Sequence, residues 1–223
     1  DKSENVGDYA ISKGTLDNAN YEITVASGAK LTITKRPITV TAQAKTKVFG
    51  ESDPEFTYVP LALVGTDKLS GSLGRTDKSE NVGDYVIENV SLVAGDNYEI
   101  TYVLAKLTIN KLAVTVTAES TSKTYGDSDP EFKVKSIVPK LIGSDELSGK
   151  LGREAGLTVG DYAINKGTLD NANYDITYAG DAKLTINKLA VTVTAESTSK
   201  TYGDADPEFK VKSISPKLIG SDE

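Results

Sequence analysis

The acidic residues best placed to do chemistry stand in the sequence YGDSDPEF at residues 125–132. Asp127, Asp129 and Glu131 alternate there, and carboxylates that project from a turn are ligands that Ca²⁺ prefers. The spacing lacks the D-x-D-x-D-G order that makes a calcium loop specific. A tight turn explains the same residues, because Gly126 permits an unusual φ and the proline sets φ before a strand. We therefore expect a turn, and a calcium site is the lesser alternative.

Several residue types that carry enzyme chemistry are absent, since the 223 residues include no Cys, Met, Trp or His. Thiol nucleophiles, imidazole acid–base catalysis and histidine metal ligation are therefore excluded. Asp127 and Asp129 could exchange protons as a pair, but they fall on a turn for which no pocket is predicted. We expect no catalytic residue, no cofactor and no enzymatic activity.

The charge of the chain argues against polyanionic partners. Its 25 basic and 32 acidic residues give a net charge of −7. Such a surface repels phosphate backbones and anionic lipids. No apolar run reaches the length of about 18 residues that spans a bilayer, and no signal-peptide pattern opens the chain. We expect neither nucleic-acid binding nor membrane insertion by this stretch of protein.

The acidic motif is one of several that recur at a fixed step. FGESDPEF begins at residue 49, YGDSDPEF at 125 and YGDADPEF at 202, so the spacings are 76 and 77 residues. VGDY and the pattern Asn-Tyr-acid-Ile-Thr recur with the same step. Self-similarity at a long fixed period indicates tandem structural units. We divide the sequence into a C-terminal half-repeat, two complete repeats and an N-terminal half-repeat, at 1–36, 37–111, 112–188 and 189–223. The half-repeats suggest a piece of a longer protein, with any export signal or anchor elsewhere.

Each repeat is predicted to be all-β. Apolar residues at period two are interrupted by Gly, Asn, Asp and Pro every 8 to 12 residues, which gives six or seven short strands in about 75 residues. This count favours an Ig-like β-sandwich, with a β-grasp-like repeat as the alternative. The predicted inward residues of the first complete repeat are Ile38, Val40, Phe56, Leu69, Leu73, Tyr85, Ile87, Tyr98, Ile100, Leu107 and Ile109.

The junctions between repeats are predicted to be short and stiff. Leu31 and Ile33 have odd numbers, whereas Ile38 and Val40 have even ones, so the inward face changes over two or three residues. The array should therefore be elongated. A permuted frame, with units at 1–76, 77–153 and 154–223, is the alternative and predicts three compact bodies. The half-repeats at the two ends could also complete each other between molecules.

The repeated tyrosines have both a structural and a binding interpretation. Aromatic rings can stack on sugars or contact proteins. Most of these tyrosines fall on inward positions beside turns, where a hydroxyl bonds backbone as in a tyrosine corner, and we expect them in the core: Tyr9, Tyr21, Tyr85, Tyr98, Tyr162 and Tyr174. Three others, Tyr58, Tyr102 and Tyr178, are the better surface candidates.

The Asn-Lys junctions at Asn110 and Asn187 raise the question of a Lys-to-Asn isopeptide cross-link. Thr34 takes the equivalent place in the first half-repeat, and no buried acid is identifiable to assist the reaction. We therefore do not expect the link. A mass deficit of one ammonia per bond would reveal it.

Taken together, these motifs resemble a known bacterial repeat family. VTVTA opens the unit, and YGDxDPEF, LSGxLGR, VGDY, NYxIT and LTINK follow in that order. The set is similar to the mostly bacterial Ig-like (MBG) repeat of surface adhesins and covers the whole chain. The resemblance implies a protein attached to the bacterial cell wall or outer membrane, with no shared catalytic residues.

Two functions are compatible with this resemblance. The first is a non-enzymatic, extracellular stalk that holds an adhesive head away from the bacterial surface, so that the host ligand binds other parts of the parent protein. The second is a set of repeats that each bind a host glycan or matrix protein weakly and gain avidity from their number. An exposed apolar or aromatic patch that recurs in each repeat would favour the second.

Overall fold

The computed structural model describes residues 5–220 and residue 222, which form seventeen strands and no helix. The prediction of an all-β protein with sandwich-type repeats is confirmed. The chain folds into two compact units, Asp1–Leu112 and Ala113–Glu223. The boundary lies beside the predicted repeat junction at residues 111 and 112.

Eight strands lie entirely within the first unit. They are β1 (Gly7–Ala10), β2 (Lys30–Ile33), β3 (Arg36–Thr41), β4 (Lys45–Val48), β5 (Leu73–Gly74), β6 (Gly83–Asn89), β7 (Tyr98–Val103) and β8 (Ala105–Asn110). The repeat at 37–111 builds a mixed sheet of order β4-β8-β6-β5 and a second sheet in which β3 pairs with β7. In the mixed sheet β4 and β8 run parallel, and the other pairs are antiparallel.

The second unit repeats this plan. Its strands are β9 (Leu112–Ala118), β10 (Thr121–Thr124), β11 (Val134–Val138), β12 (Gly152–Arg153), β13 (Gly160–Asn165), β14 (Tyr174–Tyr178), β15 (Lys183–Asn187), β16 (Thr192–Ala195) and β17 (Val211–Ser215). The mixed sheet has the order β10-β15-β13-β12, and the second sheet has the order β11-β9-β14. Equivalent pairs keep one register: Gly83 faces Ile109 in the first repeat, and Gly160 faces Ile186 in the second.

Alternating apolar residues on these strands form the core. Leu107 and Ile109 on β8 are buried, as are their counterparts Leu184 and Ile186 on β15. Of the predicted inward set, six residues are buried and five are half-buried. Burial passes from odd positions on β8 to even positions on β9, where Val114 is buried, so the predicted change of inward face is present.

The strand pairing does not follow the permuted frame. β5 pairs with β6 across residue 76, and β12 pairs with β13 across residue 153. Both boundaries of that frame would therefore cut a hydrogen-bonded sheet. The chain forms two compact units, whereas this frame predicted three bodies. The assignment of residues 1–36 and 189–223 as half-repeats remains a prediction.

The segments at the two ends form smaller sheets. β1 and β2 pair antiparallel in the register of β6 and β8, and β16 pairs with β17. Tyr21 was predicted to be inward but is 73% exposed, whereas its counterparts Tyr98 and Tyr174 are buried. The prediction for Tyr21 is wrong because no other part of the described chain covers its ring.

Candidate functional site

The signature motif forms the predicted tight turn. Gly50 and Gly126 have φ of 89° and 92°, values in the left-handed region that glycine adopts without steric cost. The amide of Asp127 donates to the carbonyl of Thr124 at 3.0 Å, and Glu51 makes the same bond to Val48 at 3.1 Å. The turn places Asp53 and Asp129, each the third residue after its glycine, against a group of cations.

A charge cluster of Lys47, Asp53, Arg75 and Glu80 lies under the first of these turns. Arg75 donates from Nε to Asp53 Oδ2 at 2.7 Å and from Nη2 to Asp53 Oδ1 at 3.0 Å, so the pair is bidentate. Lys47 donates to Asp53 Oδ1 at 2.8 Å, and both cations also bond Glu80. The side chains of Lys47 and Arg75 are only 2% and 1% exposed. Two buried cations thus share two carboxylates.

Backbone oxygens and one aromatic ring complete the surroundings of Arg75. Its Nη1 donates to the carbonyls of Asp77 and Ser79 at 2.8 and 2.5 Å. Its guanidinium carbon lies 5.2 Å from the ring centre of Tyr85, a cation–π distance. Because arginine presents five donors in a fixed fork, it can hold a carboxylate and a loop backbone together. Arg75 therefore ties the signature turn to the loop that precedes β6.

The pKa values reflect this mutual stabilisation. Hydrogen bonds from Arg75, together with that from Lys47, outweigh burial and lower the pKa of Asp53 to about 2. Burial acts against the charged form of Lys47, but hydrogen bonds to Asp53 and Glu80 prevail and raise its pKa. The hydrogen bond from Lys47 likewise lowers the pKa of Glu80. All four groups are therefore held in their charged forms at neutral pH.

The second repeat contains a three-membered version of the charge cluster, formed by Lys123, Asp129 and Arg153. Arg153 binds Asp129 with contacts of 2.6 and 3.1 Å, and Lys123 donates to the same carboxylate at 2.8 Å. The guanidinium lies 5.3 Å from the centre of the Tyr162 ring. Hydrogen bonds from Arg153 and then Lys123 lower the pKa of Asp129 to about 2. No second carboxylate of the described residues bonds these two cations, and Arg153 is more exposed than Arg75.

The third copy of the motif carries only part of the cluster. Lys200 donates to the carbonyl of Asp204 at 3.1 Å and lies 2.5 Å from the carboxylate of Asp206. Both side chains are largely exposed, at 44% and 70%. The Lys–Asp pair is therefore a property of the turn itself, whereas burial accompanies the arginine in the two whole repeats.

A second recurrent contact fixes the aspartate of VGDY. Thr108 and Lys106 on β8 donate to the two oxygens of Asp84 on β6 at 2.7 and 3.1 Å. The threonine bond, and then the lysine bond, lower the pKa of Asp84. The same cross-strand contact forms in the other copies, from Thr32 and Lys30 to Asp8 and from Thr185 and Lys183 to Asp161.

The tyrosine hydroxyls bond backbone at equivalent places, as predicted for a tyrosine corner. Tyr85 donates to the carbonyl of Asn81 at 2.7 Å, and Tyr162 donates to that of Thr158 at 2.8 Å. Tyr174 accepts from the amide of Ile142 at 2.8 Å and donates to Asp145 at 2.7 Å. Tyr98 makes the corresponding contacts with Val64 and Asp67. These rings belong to the fold.

The three tyrosines proposed as surface candidates are half-buried: Tyr58, Tyr102 and Tyr178. Tyr102 donates to the carbonyl of Leu92 at 2.6 Å. The hydroxyl of Tyr178 is buried without a hydrogen-bond partner among the described residues. None of the three presents a full ring face to solvent, so their value as contact surfaces is small.

Two of the three acids that suggested calcium are bonded to other groups. Asp129 binds Lys123 and Arg153, the side chain of Asp127 accepts from the amide of Thr124 at 3.2 Å, and Glu131 is exposed. Within residues 5–220 no group of three acidic side chains is arranged to hold a metal ion. Calcium binding stays a prediction, without support from this arrangement.

The expectation that no pocket lies beside the turn of Asp127 and Asp129 is wrong. A cleft of about 810 Å³ adjoins Asp129, and Phe132, Leu147 and Leu151 line it. A smaller cleft of about 410 Å³ lies in the first repeat between Phe56 and Leu73. Sequence alone could not predict either cleft, because the loops that form them contain little regular structure. The carboxylate of Asp129 is nevertheless paired with two cations and is a poor proton acceptor.

The residues proposed for an isopeptide link occupy strand ends. Asn110 and Asn187 are exposed, and their carbonyls accept from the amides of Phe49 and Tyr125 at 2.8 Å. Among the described residues the lysine classed as buried is Lys47, and it faces carboxylates. Isopeptide formation requires a neutral amine and a protonated acid, but here the amine pKa is raised and that of Asp53 is lowered. This pairing therefore favours an ionic contact.

Each unit also contains contacts between an end segment and the adjacent whole repeat. In the first unit the amide of Val6 donates to Asn97 Oδ1 at 2.9 Å, and Asn97 donates to Asn5 at 3.0 Å. In the second unit Tyr125 donates to Asp222 at 2.8 Å. These polar contacts link neighbouring repeats through folded residues and not only through the chain.

Sequence reasoning missed the charge cluster. Lys47 and Arg75 were not considered core residues, since charged side chains are seldom buried unless paired. A signal was present: a lysine precedes the Asp-Pro aspartate of the motif by six residues in all three copies, at Lys47, Lys123 and Lys200. The arginine of LSGxLGR recurs in both whole repeats.

The recurrence of strands, register and paired charges defines a tandem all-β repeat protein. No helix in the described part of the chain has the length and apolar character needed to cross a membrane. A family model described as MBG domain (YGX type) matches residues 38–108 and 114–185. The chain therefore belongs to the MBG-domain family, as the motifs indicated. No curated protein and no solved structure matches it.

Proposed function

We propose that this chain is the repeat region of a bacterial surface adhesin and that its repeats act as a non-enzymatic, rigid spacer. In this proposal the protein is extracellular, anchored to the cell surface through other regions, and its adhesive head lies elsewhere in the parent protein. Membership of the MBG-domain family is consistent with a repeat region of a surface protein.

The observation that carries the proposal is that the paired aspartates and the repeated tyrosines of both whole repeats make contacts inside their own repeat. Asp53 and Asp129 bind cations of their own repeats, and the hydroxyls of Tyr98 and Tyr174 bond their own loops. Such residues are the usual means of catalysis and ligand recognition. Because these residues hold the fold together in both whole repeats, the property that the repeats contribute in this proposal is length.

The short junctions support stiffness. One residue, Lys111, separates β8 from β9, and two residues separate β2 from β3. Within the first unit Asn97 bonds both Asn5 and Val6 of the preceding segment. A flexible linker needs a solvated chain free of such contacts. These features favour a spacer that keeps its length under thermal motion.

Exposed apolar residues weigh against repeats that all bind one ligand. Val93 is 53% exposed and forms a bridge with Ser70, but the bridge partner of Ser148 in the second repeat is Asp170. Val86 on β6 is also exposed, and Ala163 takes its place on β13. A ligand that used this surface would lose its apolar contacts from one repeat to the next.

One feature does favour the alternative of weak multivalent binding. The clefts beside Phe56 and Phe132 are lined by equivalent residues in both repeats, including Leu73 and Leu151. A glycan array, with neutral and acidic host glycans, tests this alternative. If the chain binds a glycan and the double variant Phe56→Ala and Phe132→Ala does not, the clefts are the binding sites and the spacer proposal is replaced by the binding alternative.

Small-angle X-ray scattering with and without calcium tests the spacer directly. We expect a rod-like particle whose cross-section is that of one repeat, with the same dimensions in both buffers. Scattering typical of a flexible chain of beads would contradict a rigid spacer. Dimensions that change only on addition of calcium would show that an ion stiffens the array.

A further inference from the structure

A free sheet edge recurs in both whole repeats. β5 and β12 are the last strands of their mixed sheets, and each pairs with a neighbour on one side. Just before β12, Ser148 exchanges two backbone hydrogen bonds with Asp170 at 2.9 and 3.0 Å, and the carbonyl of Lys150 accepts from the amide of Thr168 at 2.8 Å. The backbone groups of residues 148 and 150 are therefore directed toward their own sheet.

The intervening residues of this segment direct their backbone groups to the open side. Leu147, Gly149 and Leu151 make no backbone hydrogen bond within the described part of the chain, as expected where alternate residues of an extended segment face opposite ways. Leu69 and Gly71 are unpaired in the same manner in the first repeat. A row of unpaired N–H and C=O groups is a template for another strand.

In the second repeat this edge lines the cleft of about 810 Å³. Ile137 also lines the cleft, and it lies on β11, the last strand of the other sheet. The cleft therefore opens between the free edges of two sheets. Leu147, Leu151 and Phe132 give it apolar surface beside the unpaired backbone groups. Its volume falls in the range of about 300–1,000 Å³ that is typical of ligand sites.

The charges along the cleft favour a basic occupant. Glu131 and Glu146 line it, are exposed, and take part in none of the ion pairs formed by the described residues of the second unit. Asp145 lines it as well, and Lys150 is the basic side chain beside them. This excess of carboxylates attracts cationic groups and repels a second copy of the chain, whose net charge is −7.

A bend in the edge restricts the form of the occupant. Gly149 has a φ of 80°, in the left-handed region, and its counterpart Gly71 has a φ of 88°. The edge is therefore kinked in both repeats, and kinks of this kind hinder pairing with the straight edge of another folded sheet. A short flexible peptide can follow the bend, because its backbone adapts as it binds.

We propose that the cleft of the second repeat binds an extended, basic segment of another protein, which pairs with residues 147–151 as an added strand. In this mode of recognition backbone hydrogen bonds give affinity and alternate side chains give specificity. Every second side chain of the peptide meets Leu151 and Phe132, and the intervening ones lie near Glu131 and Glu146. The expected sequence thus alternates apolar and basic residues. This inference does not depend on the spacer proposal.

The first repeat should bind the same peptide more weakly. Its cleft has a volume of about 410 Å³, roughly half that of the second. Glu55, the counterpart of Glu131, is the acidic residue that lines it, and Ser72 stands in the place of Lys150. The smaller cleft therefore offers the same kinked edge with less apolar surface and fewer carboxylates.

Fluorescence anisotropy with the whole chain tests the binding. The probe is a fluorescein-labelled peptide of sequence KVKTKVK, and the control KKVTVKK has the same composition and charge without the alternation. We expect saturable binding of the probe, at least about tenfold tighter than that of the control. Equal affinity for the two peptides, or binding of neither, overturns the proposal.

Methylation of alternate backbone amides tests the added strand. An extended peptide directs successive N–H groups to opposite sides, so one set faces the protein and the other faces solvent. Two versions of the probe, methylated at the lysine amides or at the valine and threonine amides, should therefore differ by at least about tenfold in affinity. If the two versions bind equally, or both lose binding equally, pairing through the backbone is overturned.

Charge reversal tests the location. The double variant Glu55→Lys and Glu131→Lys should weaken binding of the probe by about three- to tenfold, because it removes attraction at both clefts and adds repulsion. The matched control is Glu99→Lys with Asp175→Lys, which makes the same change of net charge at exposed positions on β7 and β14. In the second repeat β14 lies at the other end of the sheet from β11. An equal loss in the two double variants would mean that the peptide responds only to net charge, and would overturn the site.

Discussion

Replacing Asp53 with asparagine should destabilise the first unit in a way that depends on pH. The carboxylate accepts two bonds from Arg75 and one from Lys47, which lower its pKa to about 2. An unfolded aspartate has a pKa of about 3.9, and a difference of about two units corresponds to about 2.5 kcal/mol. The side chain is 27% exposed, so solvent screening reduces this to about 2 kcal/mol.

The direction of the pH effect follows from the lowered pKa. The ionised carboxylate stabilises the folded state above the unfolded pKa, and this stabilisation is lost as pH falls through about 4 toward the folded value near 2. Asp53→Asn should therefore lose about 2 kcal/mol of unfolding free energy relative to the wild type at pH 7. The difference should shrink steadily below pH 4.

Urea unfolding followed by far-ultraviolet circular dichroism measures this difference at each pH. The control Asp96→Asn removes the same charge from an exposed turn of the same unit. Asp129→Asn, in the second unit, identifies which transition belongs to which unit. If Asp53→Asn and Asp96→Asn were equally stable at pH 7, or if the deficit of Asp53→Asn persisted unchanged at low pH, the reasoning about the charge cluster would be refuted.

Four further substitutions test other parts of the fold. Arg75→Ala should cost about 3–5 kcal/mol, because it leaves one cation, Lys47, bonded to both Asp53 and Glu80 and removes the bonds to the loop carbonyls. Arg153→Ala should cost less at its more exposed site. Urea unfolding ranks the two variants, and the reverse order would contradict the cluster geometry. Tyr174→Phe removes a hydroxyl with two hydrogen bonds and should cost about 1–3 kcal/mol by the same assay, whereas a neutral result would mean that water replaces both bonds. Gly126→Ala forces a left-handed residue and a Cβ that overlaps Ile219 Cδ1, so hydrogen exchange should rise around residue 219; unchanged exchange would argue against that packing.

Sequence reasoning was effective wherever a local pattern determines the outcome. Leu107 and Ile109 alternate with polar residues, and a strand with one buried face requires this alternation. The turn at Gly126 was predictable because its conformation suits glycine and because the chain presents the motif three times. These features depend on residues close together in sequence, which a single chain displays without an alignment.

Features that depend on distant residues were harder to predict. Tyr21 has the same neighbours in sequence as Tyr98, yet one ring is exposed and the other is buried. The difference arises from Val64 and Asp67, more than 30 residues from Tyr98, whose loop bonds the hydroxyl. Local sequence specifies what a side chain can do, but the partner that it meets is a property of the whole repeat.

The charge cluster is the clearest case, and it explains how a repeat without disulfides orders a long loop. Between β4 and β5 the chain runs through residues 49–72 with only isolated bridges at Tyr58 and Ser70. Arg75 and Asp53 are 22 residues apart and close this loop by a bidentate pair. Closing a loop removes chain entropy whether the link is covalent or ionic. Losing one cation leaves the other bonded to two carboxylates, and losing Asp53 leaves two buried cations that share Glu80. The loop should therefore unfold as one step with the cluster.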